Sequence, residues 1–137
     1  MSANDYNQRI IEEFRSNQGK VGGHFANTPL LLVHTQGAQS GQERVNPVAY
    51  LKEGDHYVII ASKGGADDNP DWYYNLKANP KVTVEVGTET FDARAEITQE
   101  PERSDLYAKM AAKNPGFAEY AKRTKRVIPV IKLARLS

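Results

Sequence analysis

Cysteine is absent from all 137 residues. Its absence removes disulfides, thiolate nucleophiles, iron–sulfur clusters and zinc sites built on sulfur. An excess of charge of one sign is also missing, since 18 Lys and Arg stand against 17 Asp and Glu, a net charge of +1. A protein that grips bulk nucleic acid through its phosphates needs a marked basic excess, so that role is disfavoured. No run approaches the roughly 18 apolar residues of a membrane span. Met1 to Asn7 is polar and lacks the charged-then-apolar layout of a signal peptide, which makes the cytoplasm the expected location. The three histidines, His24, His34 and His56, form no i, i+4 pair, so no histidine metal site is expected. His34 reads as a satisfied core residue. No Gly-x-Ser-x-Gly elbow supports a serine nucleophile. What is present is an ordinary globular composition, 39% hydrophobic and 26% charged, in a length that suits one domain.

The hydrophobic pattern predicts a helix from Asp5 to Gln18, with Tyr6, Ile10, Ile11 and Phe14 on one stripe. This stripe either caps the core or belongs to an arm that closes over a ligand or touches a membrane surface. Its flanking charges, Arg9, Glu12, Glu13 and Arg15, are mixed, so any membrane attraction is weak. Gly19, Gly22 and Gly23 then interrupt the helical pattern. Leu30 to Thr35 reads as a strand buried on both faces, Arg44 to Leu51 as a second and His56 to Ser62 as a third. Pro47 requires an edge or a bulge, because it brings no N–H to a ladder. Residues 81–86 and 91–97 alternate apolar with polar and form a hairpin about Gly87-Thr88. A last strand spans Pro129 to Leu136. Asn69-Pro70 predicts an N-cap and first residue for a helix carrying Trp72, Tyr73 and Leu76. Two further helices are expected over Pro101–Lys113 and Phe117–Arg123. Six mostly antiparallel strands with peripheral helices, an α+β arrangement, favour closure into a barrel. Without crossover helices between the first three strands, a βαβ dinucleotide fold is disfavoured.

Two glycine-containing turns carry the chemical interest. Gly37-Ala38-Gln39-Ser40-Gly41 exposes backbone N–H groups and a hydroxyl, with Arg44 close behind. Ala61-Ser62-Lys63-Gly64-Gly65 ends the third strand with small residues and a lysine. If strands two and three pair, Arg44 and Lys63 converge on one phosphate-bearing ligand while Trp72 covers a flat ring. A plain hairpin and a core tryptophan account for the same residues equally well. Asp67, Asp68 and Asp71 sit near a helix start, where the macrodipole favours them.

Taken together, Gly37-x-x-Ser40-Gly41-x-x-Arg44-Val45-Asn46-Pro47, Ala61–Ala66, Asn69-Pro70-x-Trp72-Tyr73-x-Asn75-Leu76-Lys77-Ala78-Asn79-Pro80 and Ile128-Pro129 resemble the deazaflavin-dependent nitroreductases of actinobacteria. That family uses coenzyme F420 on a split β-barrel like that of FMN-binding flavin reductases. The resemblance covers roughly Gly19 to the C-terminus, a barrel domain over 19–137, and the helical pattern makes residues 1–18 an N-terminal arm. It implies that Ser40, Arg44 and Lys63 hold the phosphate and acidic tail of the cofactor. Val45, Asn46, Pro47 and Val48 would line the ring or ribityl chain, and Ile60, Ala61 and Ser62 the ring face. Asp71, Trp72, Tyr73 and Asn75 would lie near the linker. Ala38 and Gln39 complete the cofactor-facing set, at positions where relatives often carry basic residues. On the acceptor side the matching positions are Ala49, Asn114, Phe117 and Tyr120, and Tyr120 is the candidate proton donor. The implied reaction is hydride transfer from reduced F420 to a planar electron-poor acceptor, a quinone or a nitroaromatic. Bulky nitroimidazoles fit poorly, because only Tyr120 keeps a phenol. An FMN-dependent split-barrel oxidoreductase, a non-catalytic cofactor-binding protein and a single-strand-binding barrel using Trp72, Tyr73 and Tyr74 remain as alternatives. Nothing in the pattern specifies an oligomer.

Overall fold

The computed structural model describes residues 3–22 and 28–136, with backbone alone for 3–5. His24 and Gly23 lie outside the described residues. Six strands, β1 (Leu30–Gln36), β2 (Glu43–Glu53), β3 (His56–Ile60), β4 (Lys81–Val86), β5 (Glu89–Ile97) and β6 (Val130–Arg135), close into a barrel in the order β1-β2-β3-β6-β5-β4. Every pairing is antiparallel. Among the described residues four α-helices surround it: α1 (Ala3–Ser16), α2 (Asp71–Ala78), α3 (Glu102–Lys113) and α4 (Gly116–Arg123).

The strand patterns follow from what covers each face. In β1, Leu31 and Val33 enter the barrel interior, whereas Leu30 and Leu32 pack beneath Ile10, Ile11 and Phe14 of α1. In β3, Tyr57 and Ile59 point inward, while Val58 and Ile60 pack against Leu106, Met110 and Phe117 of α3 and α4. Both strands therefore read as continuous apolar runs. Strands β4 and β5 alternate because their outer face meets water: Val82, Val84, Phe91 and Ala93 are buried, and Lys81, Asp92 and Arg94 are exposed. From α2, Trp72, Tyr73 and Leu76 join the interior cluster.

Pro47 pairs with Leu32 of β1, but the β2–β3 ladder begins only at Tyr50. At Pro47, β2 thus has a neighbour on one side alone, and the proline sits at an open edge as its chemistry requires. Gly19 allows the chain after α1 to meet the β4–β5 turn, since a Cβ there would lie 2.6 Å from Gly87 Cα.

Two expectations are corrected. Pro70, not Asn69, occupies the cap position of α2, and no side chain caps it. Asn69 is spent elsewhere, its Oδ1 accepting from Arg126 Nη1 at 2.7 Å. His34 is not in the interior. It lies half-buried on the outer face of β1, with Nε2 2.6 Å from Glu85 Oε2 and Nδ1 3.4 Å from Glu43 Oε1. Glu85 also receives Arg15 of α1 at 2.7 and 3.1 Å. The Arg15 hydrogen bond, seconded by that of His34, holds the Glu85 carboxyl below the ordinary carboxylate value.

Candidate active-site cleft

Where β3 leaves β2, a cleft of about 490 Å³ opens between the barrel, α1 and α4. Its floor is Pro47, Val48 and Ala49 of β2, Ile60 of β3 and Trp72 of α2. One wall is Tyr6, Asn7 and Ile10 of α1, with Thr28 and Leu30. The other is Asn114, Gly116, Phe117 and Tyr120 at the α3–α4 junction, and Ser62, Lys63, Gly64 and Pro70 close the remaining side.

The open edge of β2 gives this cleft backbone polarity. Tyr50 N–H donates to Pro29 O at 3.2 Å, so even-numbered residues of β2 turn their backbone groups toward β1. By alternation the N–H groups of Val45 and Ala49, and the carbonyls of Val45, Pro47 and Ala49, face the unpaired side. No described strand occupies that side before Tyr50. A flat ligand bearing carbonyl and N–H groups can pair there.

The turn after β3 is an unusual backbone held by an unusual brace. Lys63, Gly64 and Gly65 all have positive φ, of 48°, 65° and 85°. A lysine in this region is uncommon and costs on the order of 1 kcal/mol. Arg126 fixes the loop with Nη2 on Ala61 O and Ser62 O at 3.2 and 2.9 Å, Nε on Ala66 O at 2.8 Å and Nη1 on Asn69. Gly65 lets α4 lie directly on it, because a Cβ would come within 3.0 Å of Tyr120 O and Arg123 Cβ. Lys63 Nζ donates to Asp68 Oδ2 at 2.9 Å and lowers the Asp68 pKa. Ser62 Oγ makes no hydrogen bond among the described residues, although the residue is largely buried. The Tyr120 hydroxyl is equally uncommitted, with the Arg123 guanidinium 5.8 Å from its ring centroid.

Of the residues singled out from the sequence, Pro47, Val48, Ala49, Ile60, Ser62, Lys63, Trp72, Asn114, Phe117 and Tyr120 line this one cleft. The others do not line it. Ala38, Gln39, Ser40 and Arg44 are exposed around the β1–β2 turn. There Ser40 Oγ accepts the Gln42 N–H, and Arg44 Nη2 donates to Gln42 Oε1 at 3.4 Å. Val45 packs under α1, Asn46 is half-buried and Asp71 is exposed. Ala61 and Tyr73 belong to the interior cluster. Asn75 is buried, and its carboxamide joins the Ala38 N–H to the Thr35 hydroxyl.

Sequence reasoning missed Asn7, Thr28 and Leu30 on the cleft, and the brace Arg126. For Tyr6 and Ile10 the signal existed in the amphipathic stripe of α1. For Arg126 the sequence offers only a short basic run, indistinguishable from a solvated surface. Among the described residues no group of three or more His, Asp and Glu could hold a metal ion.

Residues 7–134 match the profile of the F420H(2)-dependent quinone reductase family. An F420H(2)-dependent quinone reductase of Mycobacterium tuberculosis is 39% identical over 126 residues, covering 89% of this chain and 85% of that protein. The solved structure of an F420-H2 dependent reductase is 37% identical with a TM-score of 0.71, covering 82% of this chain and 99% of its own. A further solved chain, described as a domain-swapped dimer, is 36% identical with a TM-score of 0.73 and covers 96% and 99%.

Proposed function

The chain belongs to the F420H(2)-dependent quinone reductase family, and from that premise we propose that the cleft between α1, β2 and α4 binds both reduced coenzyme F420 and a planar acceptor. The observation that carries this assignment is the unpaired edge of β2 facing the cleft that Trp72 floors. A strand edge supplies fixed donors and acceptors for the polar rim of a ring, and an apolar floor accepts its faces.

The residues present fit a deazaflavin. Val48, Ile60 and Trp72 offer apolar contact, and Ala49 and Gly64 leave room for close approach to backbone. Ser62 Oγ and Lys63 Nζ, on the turn that closes one side of the cleft, would hold a phosphate. When bound, a deazaflavin supplies a hydride and disfavours one-electron steps, because carbon replaces nitrogen at position 5. The protein's share is orientation. The β2 edge would orient the ring, and α1 and α4 would hold the acceptor against it and limit water. Tyr120 places a free hydroxyl on the acceptor side, where it can deliver a proton to the reduced product. Asp68 competes for Lys63, so anion binding exchanges one charge-assisted hydrogen bond for another. The β1–β2 turn, with Ala38 and Gln39 in place of cations, gives a long acidic tail little to hold.

A quinone is the acceptor that the family's name and the apolar walls favour together. Among the described residues no helix is long and apolar enough to cross a membrane. The test is a titration with F420 and, in parallel, FMN, following the fluorescence of Trp72, the one tryptophan in the chain. Saturable binding of F420 in preference to FMN, followed by oxidation of reduced F420 on adding a quinone, is the expected result. Preference for FMN would overturn the cofactor, and binding without turnover would reduce the protein to a carrier.

A further inference from the structure

We propose that Asn7 of α1, with Asn114 on the opposite wall, hydrogen-bonds the carbonyl oxygens of the acceptor and so selects neutral planar diones. This inference rests on the reading that the cleft holds an acceptor beside the cofactor.

Asn7 sits in the second turn of α1, between two other cleft residues, Tyr6 and Ile10. It is half-buried, and its carboxamide makes no hydrogen bond among the described residues. Asparagine is a poor choice for a helix interior, where its side chain competes for backbone groups. Here it neither caps the helix nor bonds the backbone, so helix formation does not account for it. Asn114 ends α3 and faces the same space. Its Oδ1 accepts the Gly116 N–H at 3.2 Å, which identifies the oxygen and leaves the Nδ2 donors without a partner among the described residues. Two carboxamides on facing walls thus present N–H donors to one cavity.

The surroundings define what those donors want. Ile10, Leu30 and Phe117 make these walls apolar, and the cation among the lining residues, Lys63, lies on the turn after β3, where it donates to Asp68. Uncharged donors in apolar walls match neutral carbonyl oxygens better than phosphate or carboxylate, which would call for a cation. A flat ring with carbonyls at opposite edges satisfies both walls. An acceptor without carbonyls would leave the Asn7 donors unpaired once water is displaced, and sites with buried polar groups discriminate on that ground. The walls also place Asn7 on the helix rather than the barrel, so the acceptor would be chosen by α1 and the cofactor by β2 and the Lys63 turn.

The experiment compares wild type with Asn7→Leu and Asn7→Asp. Leu suits the helix and removes the donors, and Asp removes them while adding charge. Steady-state oxidation of reduced F420 is measured with 1,4-naphthoquinone and with phenazine methosulfate, which has no carbonyl. Calorimetric titration of naphthoquinone into cofactor-free protein and into protein loaded with oxidised F420 reads binding without turnover. Both variants should raise the naphthoquinone KM and Kd about fivefold to tenfold, the loss of one net hydrogen bond. The phenazine KM of Asn7→Leu, whose substitution adds no charge beside this cationic acceptor, should stay near wild type, as should F420 affinity and Tm. Equal naphthoquinone affinity in wild type and Asn7→Leu would sink the proposal, as would a parallel loss for both acceptors or no quinone binding by wild type. The F420 titration of wild type reports on the underlying cofactor reading by itself.

Discussion

The Asn75 side chain reaches across 37 residues of sequence to accept the Ala38 N–H at 2.9 Å. Its own Nδ2 donates to Thr35 Oγ1 at 3.2 Å. One buried carboxamide therefore ties α2 to both the end of β1 and the turn that follows it. Asn75→Leu keeps the volume and strands two partners. The loss is expected to be about 1–3 kcal/mol, read by urea denaturation, with faster amide exchange at Ala38.

Arg126 makes a second tie of the same kind, with four carbonyl oxygens and a fork that lysine cannot reproduce. Arg126→Lys should lower stability by roughly 2 kcal/mol. It should also weaken F420 binding, because the Ser62–Gly65 turn loses its brace. Unchanged affinity in a folded Arg126→Lys protein would show that the turn does not depend on it.

Lys63 and Asp68 make opposite predictions. Lys63→Ala should weaken F420 binding about tenfold while turnover at saturating cofactor stays within about twofold, since orientation of the ring rests on β2. Asp68→Asn frees the ammonium and should tighten F420 binding. Fluorescence titration of both variants checks the pair, and a large loss of turnover in Lys63→Ala at unchanged affinity would remove Lys63 from the anion site.

Glu85 sets an acid limit. Its pKa lies below the ordinary 4.5 because Arg15, and after it His34, bond the charged form. A carboxyl depressed in the folded state stabilises fully above 4.5, and that stability is lost as pH falls through the lower folded value. Arg15 is half exposed, so the contribution is only about 1 kcal/mol after solvent screening. Denaturation at pH 7 and 5 should show the full wild-type advantage over Glu85→Gln, and measurements at pH 4 and below should show it shrinking. Glu43, facing His34 from β2, is the other carboxylate beside this group.

Most of the barrel was legible because its signals are local. The alternation in β4 and β5, the two-sided runs of β1 and β3, and the turn at Gly87 each state their own geometry. Asn69 misled for a physical reason. As a cap it looks ideal from the chain, yet a guanidinium 57 residues away had prior claim on its oxygen. His34 misled because a strand with both faces covered hides which face is the interior. Ser62, Lys63 and Trp72 were legible as a cluster because they sit within eleven residues. Asn7 was not, since only the docking of α1 across the open edge of β2 brings it there.

That open edge has a consequence for how the molecule behaves in company. An unpaired strand is an invitation to other strands, and a protein that keeps one bare for a small molecule risks recruiting its own copies. Pro47 sits in the middle of the exposed stretch, turned toward the vacant side and carrying no N–H. An incoming strand would find a broken ladder there, whereas a compact ring needs only the groups on either side of the gap. If the proline filters by size in this way, Pro47→Val should make the protein more prone to self-association as concentration rises.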